Sequence, residues 1–248
     1  MGTSERFAAI ADIHGNAAAL TAVLDDIARL GIADVVNLGD HLSGPLEAGR
    51  TADMLMPLDL PTVRGNHDRY LIEQDAGAMH EWEADAHAEL TPAHLDWLRR
   101  QPATLVWRDA FLCHATPEDD NRYWLDGVSP GGHVHLKPLA EIEALAQAIP
   151  QRLILCGHSH LPRAVRLSDG RLIVNPGSVG CPAYDDVTPH YHKVEAGTPL
   201  ATYAVLEKAG GTWLATFRNV AYDHEAMARM AAGKGRHDWA SALATGRL

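Results

Sequence analysis

The sequence predicts an α/β fold with parallel strands and a reactive site at their carboxyl ends, and three observations carry that expectation. The first 68 residues alternate short apolar runs with helical periodicity in the order strand–helix–strand–helix–strand, which implies a parallel sheet. Five apolar runs along the chain each end in residues suited to binding a metal. In open sheets of this kind, sites form beyond the carboxyl ends of the strands, so segments distant in sequence meet there.

Residues 7–11 are the first apolar run and lead into Asp12-Ile13-His14-Gly15. Asn16 is placed to cap a helix whose apolar face is Leu20, Val23, Leu24 and Ile27, and Gly31 stops it. Residues 34–38 form a second buried strand ending at Gly39-Asp40. A helix over about 46–55 follows, then a short strand at 61–64 running into Gly65-Asn66-His67-Asp68. Residues 69–100 read as helical, with Thr91 and Pro92 at the cap and first turn of the last helix. Residues 105–107 and 111–113 pair as a hairpin ending at His114, and 115–137 read mostly as loop. Leu139, Ile142, Leu145 and Ile149 space one more helix, and 153–156 is a strand ending in Gly157-His158-Ser159-His160. Strands follow at 164–167, 172–174, 202–206 and 212–217, separated by turn signals such as Ser168-Asp169-Gly170, and the Ala-rich segment from Asp223 is helical. No repeat or linker divides the chain, so one domain over residues 1–248 is expected.

Composition narrows the functional classes. An apolar share of 46% is enough for a buried core and argues against disorder. Lys plus Arg number 21 against 32 Asp plus Glu, and this net charge of −11, without a local basic patch, disfavours long nucleic acids as partners. Cys113, Cys156 and Cys181 are an odd count with no CxxC spacing, which suits a reduced, cytoplasmic setting. Met1-Gly2-Thr3-Ser4 shows no leader, and Arg6 stands where a myristoylation pattern wants Ser or Thr. No apolar run has bilayer length, so no membrane partner is expected. A homo-oligomer is compatible with the sequence, which does not state the oligomeric state.

Fifteen histidines are many for this length, and their positions matter more than their number. The polar strand ends are Asp12/His14, Asp40, Asn66/His67, His114 and His158/His160. Imidazole, carboxylate and an amide oxygen, without thiolate, are the donors of borderline divalent metals. The spacing Asp12-x-His14 puts both side chains on one side of an extended segment. A single histidine at a strand end is usually structural and Gly39-Asp40 alone is an ordinary turn, but five such coincidences at five strand ends are not an ordinary outcome. A metal-storage protein would cluster its histidines in tracts; here they are distributed one strand end at a time.

In this order, Asp12-x-His14, Gly39-Asp40, Gly65-Asn66-His67-Asp68, His114 and Gly157-His158-Ser159-His160 resemble the calcineurin-like metallophosphoesterase superfamily, and Asn175-Pro176-Gly177-Ser178-Val179-Gly180 looks like its small bacterial members. The resemblance implies a four-layer α/β/β/α sandwich of two mixed sheets, with a metal site at the C-terminal strand ends. It implies that Asp12, His14 and His160 hold one divalent transition metal ion, that Asn66, His114 and His158 hold a second, and that Asp40 bridges them. The ion could be Mn, Fe, Zn, Ni or Co, since all accept these donors. A water activated between the ions would attack phosphorus, and His67 would protonate the leaving group or hold the phosphoryl group. Asp68 is a candidate to orient His67. Protein phosphatases of the superfamily have an Asp and an Arg soon after the bridging Asp; Gly39-Asp40-His41-Leu42-Ser43-Gly44-Pro45 lacks both, which points away from protein substrates. The expected substrates are small phosphomonoesters or phosphodiesters, nucleotides among them. The alternative is a non-catalytic protein-binding scaffold on the same fold.

Three further groups invite a role. Tyr123 and Trp124 either stack on a leaving group or pack their loop down, and packing is favoured. Arg64 either clamps phosphate or pairs within the sheet. His190 and His192 lie in a loop that approaches the site but are not expected as ligands, and His80, His87, His94, His133, His135, His224 and His237 read as surface or loop residues.

Overall fold

Strand β1 (Glu5–Ile10) shows why the chain folds in layers. Phe7 and Ala9 face one way, Ala8 and Ile10 the other, and all four are buried. A strand buried on both faces needs cover on both. The computed structural model describes residues 5–248; the reading of Met1 to Ser4 lies outside the described residues.

In chain order β1 is followed by α1 (Ala17–Arg29), β2 (Val35–Asn37), α2 (Ala48–Leu55), α3 (Asn66–Glu73), α4 (Glu81–His87), α5 (Pro92–Arg100), β3 (Thr104–Trp107), β4 (Ala110–Cys113), β5 (Asp126–Val128), β6 (Val134–Leu136) and α6 (Leu139–Leu145). Then come β7 (Leu153–Leu155), β8 (Arg163–Arg166), β9 (Leu172–Asn175), β10 (Ala183–Asp186), β11 (His192–Glu195), β12 (Ala201–Ala209), β13 (Thr212–Val220), α7 (His224–Gly233) and α8 (His237–Thr245).

Two mixed sheets form, in the orders β13-β12-β1-β2 and β3-β4-β7-β9-β8. Strand β1 runs parallel to β2 and antiparallel to β12. In the second sheet β4, β7 and β9 are parallel, with β3 and β8 antiparallel at the edges. The sheets face each other through Phe7, Val36 and Leu38 against Leu112, Leu155 and Val174. The outer face of the first sheet packs Ala8 and Ile10 on Leu20, Val23 and Ile27 of α1. The outer face of the second packs Ile154, Cys156 and Ile173 on Ile142, Ala146 and Ile149. Each large side chain so buried stabilises the fold by roughly 1.5–3 kcal/mol. This is the four-layer α/β/β/α sandwich with two mixed sheets.

The N-cap of α1 is as read from the sequence, with Asn16 Oδ1 accepting from the Ala19 N–H at 3.0 Å. The strand at 61–64 contributes a single parallel bridge, Thr62 to Asn37. Two hairpins occupy segments whose strands the sequence does not announce, β5–β6 and β10–β11. They are short and mostly polar, so their alternation carries almost no apolar signal. His94 is buried rather than exposed; its Nε2 lies 3.1 Å from Asp53 Oδ1 and its backbone N–H meets the Thr91 cap of α5.

Candidate metal centre

Each candidate ligand outside α3 leaves its strand on a turn: Asp12 and His14 after β1, Asp40 after β2, His114 after β4, His158 and His160 after β7. Asp12, His14, Asp40, His158 and His160 all adopt positive φ, between 48° and 70°. Asp and His tolerate this left-handed region better than most residues, at a cost on the order of 1–3 kcal/mol each. Backbone bonds close the turns onto one another. Asp12 N–H donates to Gly39 O at 3.0 Å, and His14 N–H donates to Asp40 O at 3.0 Å. A side chain at Gly65 would overlap Asp40 Oδ1, so only glycine lets these two strand ends approach so closely.

Protein oxygens aim the imidazoles. His114 Nδ1 lies 2.8 Å from Leu38 O, His160 Nδ1 2.7 Å from Cys181 O, and His158 Nε2 2.9 Å from Asn121 O. A carbonyl only accepts, so these nitrogens carry the protons and the opposite nitrogen of each neutral ring keeps its lone pair. His14 Nδ1 is held 2.8 Å from Ser43 Oγ. The nitrogens left over converge. His14 Nε2 is 3.1 Å from His160 Nε2, which is 3.5 Å from Asp12 Oδ1. His114 Nε2 is 3.0 Å from Asn66 Oδ1 and 3.2 Å from Asp40 Oδ2.

Two donor groups result, Asp12/His14/His160 and Asp40/His114/His158, with the donor atoms of each within 4.8 Å of one another. Asp40 joins them, because its Oδ2 is also 3.8 Å from His14 Nε2. That oxygen is buried and has no hydrogen-bond partner. Buried carboxylate oxygens are otherwise almost always bonded, and an oxygen shared by two cations has to be kept free in this way. Nitrogen and oxygen donors without thiolate fit divalent transition metals. The structure thus brings Asp12, His14, Asp40, Asn66, His114, His158 and His160 to one place.

Electrostatics divide the centre. Burial raises the Asp12 carboxyl well above the usual range. Burial pushes Asp40 the same way, but the surrounding imidazoles, His114 first, outweigh it and hold Asp40 well below that range. Burial lowers His14, and takes His158 to about 4 and His160 to about 3. All three are therefore neutral at pH 7, the form that binds a metal. Burial works against the charge of His114 too, but Asp40 and Asp12 hold it at about 10.

His67, in the first turn of α3, is aimed by other partners. Its N–H donates to Asp40 Oδ1 at 3.0 Å, its Nδ1 bonds Glu83 Oε1, and its ring stacks on Trp82 at 5.2 Å and 18°. Burial opposes its charge, but Asp40 and Glu83 prevail and raise its pKa. Asp68 does not orient it. The Asp68 carboxylate accepts from the N–H groups of Asp40, His41 and Gly65 at 2.8, 3.0 and 2.9 Å, so it ties the Asp40 turn to the start of α3. His41 is fully buried, with Nδ1 2.6 Å from Asp68 Oδ2. Glu83 and Trp82 escape a reading of the sequence because they come from α4, a stretch legible only as helical.

The centre opens into a cleft of about 690 Å³ whose walls include Tyr70, Trp82 and Tyr184. Tyr123 and Trp124 pack rather than present a stacking face. Trp124 is buried beside α6 and donates from Nε1 to Ile142 O at 3.1 Å. Tyr123 Oη meets Tyr184 Oη at 2.6 Å and His192 Nε2 at 3.0 Å, so His192 supports the wall from behind. His190 is exposed, and Arg64 bonds through its backbone N–H to Pro102 O and joins neither donor group. Tyr184, on β10, also reaches the centre, its ring 4.6 Å from that of His160, as do Tyr123, 5.1 Å from the His158 ring, and Trp82, 5.5 Å from the His14 ring. The only sequence signal for Tyr184 is an aromatic after the Gly-His-x-His strand.

Residues 6–198 match the family profile described as the calcineurin-like phosphoesterase superfamily domain. The chain is 24% identical over 210 residues to an uncharacterised protein of Methanocaldococcus jannaschii, across 71% of this chain and 76% of that one. Its fold is similar to the crystal structure of a metallophosphoesterase from Sphaerobacter thermophilus, with TM-score 0.75 and 24% identity over 98% of this chain and 100% of that one. It is also similar to the structure of a protein provisionally assigned as a diadenosine tetraphosphatase, with TM-score 0.53 and 14% identity over 90% and 96% of the two chains.

Proposed function

The chain belongs to the calcineurin-like phosphoesterase superfamily, and on that premise we propose that it hydrolyses small phosphate esters at a centre of two divalent transition metal ions. The observation that carries this reading is Asp40 Oδ2, buried, without a hydrogen-bond partner, and within reach of a ring nitrogen from each donor group. Asp12, His14 and His160 would hold one ion, Asn66, His114 and His158 the other, and Asp40 both. Bound there, the ions supply Lewis acidity, lowering the pKa of water and neutralising the phosphoryl oxygens.

The remaining work falls to the chain's own side chains. With Nδ1 tied to Glu83, His67 has Nε2 left for the cleft that it lines. It holds a proton there for the oxygen that leaves phosphorus. Glu83, 1% exposed, joins Asp40 in raising the pKa of that imidazole and holds it in one orientation. The net charge of −11 favours small esters over long nucleic acids. Among the described residues no helix is long and apolar enough to cross a membrane. We read the chain as a single domain acting in the cytoplasm, its three cysteines buried and unpaired.

The test is metal reconstitution. Protein stripped by chelator and reloaded with Mn, Fe, Zn, Ni or Co is expected to turn over p-nitrophenyl phosphate or bis-p-nitrophenyl phosphate with at least one ion, and to lose that activity in EDTA. Turnover with none of them would favour the protein-binding scaffold, which has no need of a complete donor set.

A further inference from the structure

We infer that the cleft selects phosphate esters whose alcohol carries a cationic amine, primary or quaternary; this rests on the hydrolytic reading and names its substrate class. A cleft of about 690 Å³ is far larger than a phosphoryl group and lies within the size range of small-molecule sites. Asp40, with its buried and unpartnered oxygen, marks the end where the phosphoryl group sits. The opposite walls must then receive the alcohol.

Those walls are aromatic and acidic. Trp82, Tyr70 and Tyr184 supply ring surface, and Glu81, Asp185, Asp186 and Asp238 supply charge. Among the described residues lining this cleft there is no lysine or arginine. Arg236 pairs with Glu81 at 3.2 Å and Asp238 at 2.7 Å, so two of the acids are offset from behind. Asp185 and Asp186 are not offset in this way. Lys193, opposite Asp185 in the β10–β11 hairpin, reaches Leu248 O instead, and Asp186 accepts a backbone N–H from Thr188. The adjoining cavity beside His114 repeats the pattern with Glu118, Asp119 and Asp120, and its arginine, Arg69, is already bonded twice to Asp120, at 2.7 Å each.

A second phosphate on the substrate would therefore face mostly carboxylates, the nearest arginine, Arg69 over the Tyr70 ring, being already held by Asp120, which costs binding. An ammonium group would meet both carboxylates and ring faces, the environment that attracts organic cations. The reaction balances simply. A water oxygen bonds to phosphorus and gives up one proton, the bond from phosphorus to the alcohol oxygen breaks, and the alcohol oxygen takes one proton from His67, which the water's proton restores.

The experiment compares kcat/KM of the metal-loaded full chain for phosphocholine and phosphoethanolamine against glycerol 3-phosphate and AMP, with p-nitrophenyl phosphate as a common reference. Binding is measured by calorimetry on the metal-loaded wild type with non-hydrolysable phosphonate analogues of phosphocholine and glycerol 3-phosphate. The cationic esters and analogues are expected to win by about tenfold or more, the worth of one well-placed charge in a partly solvated cleft. The double change Asp185→Asn with Asp186→Asn should shrink that ratio, through a loss on cationic esters and a gain on AMP. If p-nitrophenyl phosphate is hydrolysed but the cationic esters show no advantage, or the double change leaves the ratio intact, the substrate assignment is wrong and hydrolysis stands. If no ester at all is turned over, the hydrolytic reading fails and the assignment falls with it.

Discussion

Asp40→Asn is expected to lower kcat by about a thousandfold or more for every ester, the scale on which bridged two-ion centres act. The change keeps the shape of the side chain, and its Oδ1 still accepts from the His67 N–H. What it removes is the charge and the free oxygen at the one position that reaches both donor groups, 3.8 Å from His14 Nε2 and 3.2 Å from His114 Nε2. Metal content should drop with activity, from two ions per chain toward one or none. Stability separates this from misfolding. In the metal-free protein the neighbouring imidazoles, His114 first, favour the ionised Asp40, so the metal-free variant should melt cooperatively but somewhat below metal-free wild type, while the stabilisation that added metal gives the wild type should be largely lost. Unchanged turnover would mean that the chemistry lies elsewhere.

His67→Ala carries the second large effect, about 10²–10⁴-fold in kcat for esters of alkyl alcohols, the range for a lost general acid. The loss should shrink steeply for p-nitrophenyl esters, whose phenolate leaves without needing a proton. Glu83→Gln keeps the contact with His67 but removes the charge that helps raise its pKa. It should show the same leaving-group dependence at about a tenfold scale. A Glu83 that merely packed α4 would depress all esters equally, so the slope against leaving-group pKa decides between the two roles.

The strand ends were legible because they obey simple rules. A buried run that stops at Asp12, Asp40, His114 or His158 must leave its sheet at the carboxyl end, and a parallel sheet gathers such ends. The reason for a glycine beside them was not legible, since only the structure shows that a side chain at Gly65 would collide with Asp40. Nor was the support of His67. Glu83 is 16 positions away on α4, and no periodicity states which face of a short helix meets a distant loop. Asp68 seemed the natural partner by adjacency, yet its place in the first turn of α3 turns it toward the backbone N–H groups of Gly65 and Asp40. Tyr184 was hidden for another reason: β10 and β11 are recognisable only once paired, because Asp185, Asp186, Lys193 and Glu195 break any apolar pattern.

The fold also shows what the centre costs. Five non-glycine residues at positive φ, a carboxylate oxygen without a partner, and the three buried imidazoles of His14, His114 and His160 each oppose folding. The four-layer core carries that burden, and the backbone bonds from Asp12 to Gly39 and from His14 to Asp40 hold the turns in register.

Anomalous diffraction at the absorption edge of Mn or Zn, from crystals of the metal-loaded protein, tests the central claim most directly. Two peaks are expected, one among Asp12, His14 and His160 and one among Asn66, His114 and His158, with the Asp40 carboxylate between them. A single peak away from Asp40, or none at full loading, would contradict it.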